Sequence, residues 1–137
     1  MIYKFIIPGR LTGLNEYINA ERENRYKAAA LKKTNQQIVA FAINRQILRH
    51  CRDTITNPVV IDYAWYEANR KRDLDNISFA KKFIQDALVE SGVLANDGWK
   101  QIKGFTDKFY VDKGNPRVEV TITEVEEKKG QPNNGKF

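Results

Sequence analysis

Two carboxylates stand two positions apart in the stretch Arg70-Lys71-Arg72-Asp73-Leu74-Asp75-Asn76. If this stretch is extended, both carboxylates point to the same side and the leucine between them points to the core. Carboxylate oxygens are the ligands that a hard cation such as Mg²⁺ prefers, and the basic residues before them suit phosphate groups. A structural role is also open, with Asp75 or Asn76 capping a helix and Asp73 pairing with Arg72 on the surface. Taken alone, the spacing favours the structural role.

The residues that follow predict a helix that extends this site. Asp75, Lys82 and Asp86 lie at i, i+7 and i+11, nearly one line on a helix of about 3.6 residues per turn. Lys82 is then placed to stabilise negative charge on a phosphate, and its alternative is a solvated surface lysine. Lys81 points about a quarter-turn away and is the competing choice. We expect Asp86 to be a salt-bridge partner of Lys82 rather than a metal ligand.

The scarcity of histidine and cysteine excludes several other chemistries. His50 is the one histidine and Cys51 the one cysteine, so a His/Cys zinc site or an HNH-type nuclease centre lacks its ligands. No G-x-S-x-G sequence surrounds any serine, which argues against a serine hydrolase. If the chain is an enzyme, carboxylates and a metal ion must carry its chemistry.

Composition indicates a single domain that works in a reducing compartment. The chain has 137 residues, of which 42% are hydrophobic and 29% charged, and its net charge is +6. Such a balance is compatible with a polyanionic partner without proving one. No apolar run approaches the ~20 residues that span a bilayer. One cysteine permits no intrachain disulfide, so we expect a cytoplasmic protein without membrane association.

The order of predicted elements is β-α-β-α-β-β, an α+β fold with a small mixed sheet and two main helices. Strands are predicted over 2–7, 59–67, 102–111 and 117–124, with alternation in the second and fourth and with the last two forming a hairpin. Helical spacing predicts helices over 26–52 and 76–91, the second ended by Gly92. Residues 8–25 read as a loop. A domain over 1–125 is then followed by a disordered tail over 126–137.

The sequence that surrounds the two carboxylates resembles a known family. The segment RDLDNISFAKKFIQDALVESGVLANDGWKQI is similar to the RusA-type Holliday-junction resolvases. In that family an R-D-L-D-N stretch leads into a helix with a lysine and D-A-L, then a glycine turn, then an acidic pair. The similarity covers about residues 2–124 and includes the element order.

The resemblance implies roles for particular residues. Asp73, Asp75 and Asp97 match the catalytic, metal-binding carboxylates. The helix here is longer by about one turn, so counting back from Asp86 gives Lys82 as the catalytic lysine, whereas counting forward from Asp75 gives a phenylalanine. Asn96 stands where the family often has aspartate, so a role for it is in doubt.

The resemblance implies Mg²⁺-assisted hydrolysis of DNA at a four-way junction, by a homodimer that makes paired, symmetric nicks. Two alternative functions are that of a nuclease that also cuts flaps and forks, and that of a DNA-binding module without catalysis. Recombination, repair linked to replication and packaging of phage DNA are all open as the process served. The candidate DNA-binding residues are Asn15, Lys32, Lys33, Arg70, Lys71 and Arg72, with Arg45 and Arg49 also plausible.

The position of Asp97 raises a geometric problem. A helix from Asn76 to Ser91 is ~24 Å long, and the six residue steps from Ser91 to Asp97 reach at most ~20 Å. Returning Asp97 to Asp75 within one subunit would therefore need a taut connection or a shorter helix. We hypothesise that the partner subunit supplies Asp97.

Overall fold

A computed structural model describes residues 1–125, so the predicted tail over 126–137 lies outside the described residues. The described part is an α+β fold with a four-stranded mixed sheet, which confirms the predicted fold class. None of its helices is both long and apolar enough to cross a membrane. The strands are β1 (Ile2–Pro8), β2 (Val59–Glu67), β3 (Ile102–Val111) and β4 (Arg117–Glu124). The helices are α1 (Leu14–Glu23), α2 (Arg25–Ile43), α3 (Leu74–Ser78) and α4 (Lys81–Glu90).

The strands lie in the order β1-β4-β2-β3, so the predicted hairpin of β3 and β4 is wrong. The predicted bounds of β2, β3 and β4 are confirmed, but β2 lies between the other two, antiparallel to β4 and parallel to β3. Ile61 faces Ile122 on one side and Phe105 on the other. Burial explains this order, because a strand as apolar as β2 is most stable with a neighbour on both edges.

The alternation of β2 builds the core. Val59, Ile61, Tyr63 and Trp65 face the helices and are at most 2% exposed. The intervening residues face the opposite, open side of the sheet, where the Thr106 hydroxyl donates to Asp62. A period of two thus gives the sheet one apolar face for the helices and one polar face.

The chain contains more helices than predicted. A predicted loop contains one helix, and each predicted helical region contains more than one. Residues 14–23 form α1 rather than a loop, with Leu14, Tyr17 and Ile18 at helical spacing. The region 76–91 is two helices, because Lys82 and Phe83 donate backbone bonds three residues back, to Phe79 and Ala80, and tighten the chain there. Gly92 follows α4 with a φ of +83°, as its type predicts.

The outer edge of β1 is closed by a side chain. After α2 the chain forms a π-helical turn, Asn44–Leu48, which lies against β1. The Gln46 amide accepts a bond of 2.7 Å from the Ile6 N–H and donates one of 2.8 Å to the Ile6 carbonyl. One side chain therefore makes both of the bonds that a further strand would make there.

Candidate nuclease site

The junction between α3 and α4 positions the candidate lysine and the first carboxylate. Asp75 lies in the first turn of α3, and Lys82 lies in the first turn of α4. The break between these helices lets α4 run back along the sheet, with Phe83 and Ile84 at most 1% exposed in the core. Asp75 and Lys82 are both left at the surface, facing one cavity.

Asp97 lies in the turn before β3 and faces the same cavity. This cavity, which we call the carboxylate cavity, has a volume of about 380 Å³. Its lining residues are Leu14, Asp75, Ser78, Phe79, Lys81, Lys82, Gln85, Asp86, Asp97 and Phe105. One subunit therefore brings Asp75, Lys82 and Asp97 together. The helix break removes the geometric reason for taking Asp97 from a partner, because it shortens the distance that the return connection must cover.

Asp73 is not part of that cavity. It lies at the N-terminal cap position of α3 and lines a larger cavity of about 730 Å³ beside β3. The expectation that Asp73 and Asp75 point the same way is wrong, because helix α3 already begins at Leu74, which is 56% exposed rather than buried. Within residues 1–125, no three side chains of His, Cys, Asp or Glu are grouped closely enough to hold a metal ion.

The structural roles predicted for this stretch are also wrong, because the N-cap position of α3 is occupied by Asp73 and not by Asp75 or Asn76. The Asp73 side chain makes no capping hydrogen bond to α3. Arg72 does not pair with it, because the guanidinium binds both oxygens of Glu67, at 2.9 and 2.8 Å, and donates to the Leu11 carbonyl. Asp73 is an exposed carboxylate that neither a cap nor this arginine explains.

Arg72 therefore has a role that the sequence did not indicate. Its side chain is 12% exposed and its partner Glu67 11%, so the pair lies inside the fold and Arg72 does not offer a free charge to DNA. The neighbouring Arg70 and Lys71 are exposed, as are Asn15 and Lys33. These four residues remain accessible to a large ligand.

Close contact between α1 and α3 fixes where α3 begins. The Asn76 side chain accepts a bond of 2.9 Å from the Asn15 N–H. A Cβ atom on the buried Gly13 would lie 2.6 Å from the Asn76 Oδ1 and 2.7 Å from an Arg72 nitrogen. Glycine suits this position because a side chain would displace the Asn76 amide and the Arg72 guanidinium from their present contacts. The loop that leads into α1 thus positions Asp75.

Asp86 joins the carboxylate cavity to helix α2. Its carboxylate accepts from the Gln36 amide at 3.2 Å and lies 3.9 Å from the Lys32 ammonium. The lysine partner of Asp86 is therefore Lys32 and not the predicted Lys82. A smaller cavity of about 280 Å³ is lined by Lys32, Asp86 and Asp97 among others, so this lysine lies at the border of the site.

Lys81 and Asp107 form the wall between the two larger cavities. The Lys81 ammonium makes an ion pair with one Asp107 oxygen and lies 4.4 Å from the centre of the Phe105 ring. The other Asp107 oxygen accepts from the Trp65 indole at 2.8 Å. Both ionic side chains are at most 20% exposed, so Lys81 is committed to the fold and Lys82 is the lysine that is free to meet a substrate.

Sequence reasoning missed Asp107. The signal was its position in β3, where alternation places it on the inward face with Phe105 and Phe109. A carboxylate on an inward face needs partners, and here they are Lys81 and Trp65.

Comparison with known proteins identifies a family for this chain. A search of curated protein sequences finds no match. The family model described as endodeoxyribonuclease RusA matches residues 12–123, which include both helices of the site and the turn that carries Asp97. The chain therefore belongs to the RusA endodeoxyribonuclease family.

Proposed function

We propose that this protein is a Mg²⁺-dependent endonuclease that resolves four-way DNA junctions by paired, symmetric nicks. The observation that carries the proposal is the carboxylate cavity, in which Asp75, Asp97 and Lys82 meet within a chain of this family. Asp75 and Asp97 are exposed, so a DNA backbone can reach them.

The donor set at the cavity fits a magnesium ion. Mg²⁺ is commonly held by one or two carboxylates, with water and substrate phosphate completing its shell, and it does not need a cage of protein ligands. Asp75 and Asp97 are the residues that would hold it. Asp73 is proposed as a further ligand only from its match to the family pattern, because its carboxylate lines the neighbouring larger cavity. The ion, when bound, would polarise the phosphate and lower the pKa of an attacking water.

Lys82 supplies positive charge from the protein itself. It follows the turn between α3 and α4, and its exposed ammonium is available to a phosphate oxygen that gains negative charge. Lys32 carries a second positive charge to the border of the site. Contacts of this kind hold the DNA backbone without reading base sequence.

Further basic and polar residues extend the proposed DNA surface. Arg70 and Lys71 precede α3, and Asn15 lies at the start of α1 beside it. Lys33 neighbours Lys32 on α2. Arg72 is left out of this surface because Glu67 engages it.

A homodimer accounts for symmetric cleavage. A four-way junction has two opposed strands of equal geometry, and a two-fold protein places one complete site on each. Because Asp75 and Asp97 of one subunit share a cavity, each subunit would nick one strand. DNA as the substrate and the single cysteine are both compatible with a cytoplasmic location.

Cleavage of a panel of end-labelled DNAs tests the proposal. The panel contains a four-way junction, a flap, a fork and linear duplex, each with Mg²⁺ or EDTA. We expect paired nicks on the junction with Mg²⁺ only. Asp75→Asn should abolish cleavage while junction binding persists, and Asp62→Asn, which lies on the open face of the sheet, should cut normally. Equal cutting of flaps and forks would indicate a broader nuclease. Binding without any cleavage would contradict the proposal.

A further inference from the structure

Trp99 leaves 94% of its surface exposed to solvent, two positions after Asp97. The other tryptophan, Trp65, is 2% exposed and lies in the core. A large aromatic side chain contributes to stability when it is buried, so this exposed indole contributes little to the fold, and its position beside the candidate site leaves it accessible to a ligand there. Neither the family assignment nor the carboxylate cavity gives Trp99 a function.

The backbone that carries Trp99 is held in place. The N–H groups of Gln101 and Ile102 both donate to the Gly98 carbonyl, at 3.1 and 3.0 Å. The Gln101 carbonyl accepts from the Val59 N–H at 2.8 Å, which ties the turn to the first residue of β2. Little freedom beyond the two side-chain torsions of the indole has to be lost when it binds.

The next two most exposed aromatic residues within residues 1–125 are arranged differently. Tyr26 and Phe41 both lie on α2, and each has an arginine close to its ring, at 5.2 and 5.5 Å from the ring centre. Trp99 instead lies in the turn that carries Asp97, with the exposed Lys100 next to it. What distinguishes Trp99 is its place beside the candidate site, where a base stacked on the open indole would bring its own phosphate towards the cavity.

We propose that Trp99 stacks on the free face of a nucleobase at the branch point of the DNA and so aligns the neighbouring phosphate with the carboxylate cavity. This inference rests on the proposed function and names the feature of the substrate that the site selects. Bases inside a duplex are stacked on both faces, whereas a branch point offers a base with a free face. A stacking surface close to Asp97 therefore favours branched over linear DNA.

Fluorescence tests the contact directly, because Trp99 is the one exposed tryptophan of the two. The protein is titrated in EDTA, where no cleavage is expected, with a four-way junction and with a linear duplex of equal length. We expect the junction to quench the emission and the duplex to change it little. Trp99→Phe should remove the quenching and retain most of the binding, since phenylalanine also stacks. Trp65 provides the internal reference in that variant.

Affinity provides the second measurement. Trp99→Ala should raise the Kd for the junction by roughly 5- to 150-fold and leave the Kd for duplex within about twofold. Lys113→Ala, in the loop between β3 and β4, is the control for a surface substitution. A junction with 2-aminopurine at the branch point should change its fluorescence with wild type and not with Trp99→Ala.

Three results distinguish this inference from its alternatives. Unchanged emission together with an unchanged junction Kd in Trp99→Ala would overturn it. A blue-shifted emission of the DNA-free protein that depends on protein concentration, and is insensitive to DNA, would make Trp99 a dimer contact and also overturn it. Quenching by the junction in a protein that never cuts DNA would support the stacking role while the proposed nuclease function fails.

Discussion

The Lys81 ammonium and the Asp107 carboxylate form an ion pair that separates the carboxylate cavity from the larger cavity lined by Asp73. The pair connects α4 to the edge strand β3 and engages the Trp65 indole behind it. The ion pair fixes the position of Lys81 on α4. It therefore also constrains the direction in which the adjacent Lys82 side chain leaves the helix.

Breaking this pair should destabilise the protein. Lys81→Met and Asp107→Asn should each lower the free energy of unfolding by about 2 kcal/mol, because each leaves a poorly solvated group without its partner. The double variant should lose less than the sum, as urea unfolding of all four proteins would show. The matched control is the exposed pair of Lys27 and Glu23, where Lys27→Met should cost under about 0.5 kcal/mol. Additive losses at Lys81 and Asp107 would contradict the coupling.

Lys82 should act on rate and not on stability. Lys82→Ala should slow junction cleavage by about 10²–10³-fold, because charge on the phosphate in the transition state is left without its partner. Its midpoint of thermal unfolding should match wild type, since the side chain is exposed. Single-turnover cleavage measures the effect, with Lys113→Ala as the charge-matched control. Normal cleavage by Lys82→Ala would remove this residue from the site.

Mixing variants decides which subunit supplies Asp97. Because Asp75 and Asp97 of one chain line one cavity, every subunit of an Asp75→Asn and Asp97→Asn heterodimer has a defective site. We expect no recovered cleavage after subunit exchange. The control mixes wild type with a chain carrying both changes, whose heterodimer should nick one strand. Recovered activity in the first mixture would show that subunits exchange their carboxylates.

Gly13→Ala should disturb the site without touching it. The added methyl group would lie 2.6 Å from the Asn76 Oδ1 and 2.7 Å from an Arg72 nitrogen, so both side chains must move and their bonds to the Asn15 N–H and the Leu11 carbonyl are disturbed. We expect a loss of about 1–3 kcal/mol in the free energy of unfolding and slower cleavage. Gly114→Ala is the matched control, because a Cβ atom there meets nothing within 4 Å. Equal behaviour of the two variants would contradict the close packing.

Tyr63 should make stability depend on pH at the alkaline end. Burial raises the pKa of its hydroxyl above the usual value of about 10. The folded state thus holds this proton more tightly than the unfolded state, and the contribution is complete below pH ~10 and is lost as pH rises through the folded-state pKa. Relative to Tyr63→Phe, wild type should become less stable between pH 9 and 11. A difference that stays constant with pH would oppose this.

Strand bounds could be predicted from the sequence, but strand neighbours could not. Alternation identified β2 and β4 because each has one buried face, whereas β3 contains no buried residue and was predicted only as the partner of β4. Strand pairing depends on which strand has a neighbour on both edges. Nothing in the sequences of β3 and β4 indicates that β2 lies between them.

The helical part of the site was harder to predict. Glycine, asparagine and arginine in residues 8–25 indicated a loop and concealed the apolar spacing of α1. No proline or glycine marks the break between Ser78 and Lys81, because it results from tight hydrogen bonding over the buried Ala80. The site residues Asp75, Lys82 and Asp97 were identified by resemblance, whereas the separation of Asp73 and the pairing of Asp107 required three-dimensional contacts.

The Gln46 amide on β1 also has a consequence for self-association. A strand from another molecule could add to this edge only after displacing both Ile6 bonds, so sheet extension that could lead to insoluble polymers is opposed at this position. Protection at Ile6 comes from one uncharged side chain in a π-helical turn, and it adds to the Lys4 and Pro8 that the same strand carries. The solubility of the protein is in this way linked to the helical geometry that follows α2.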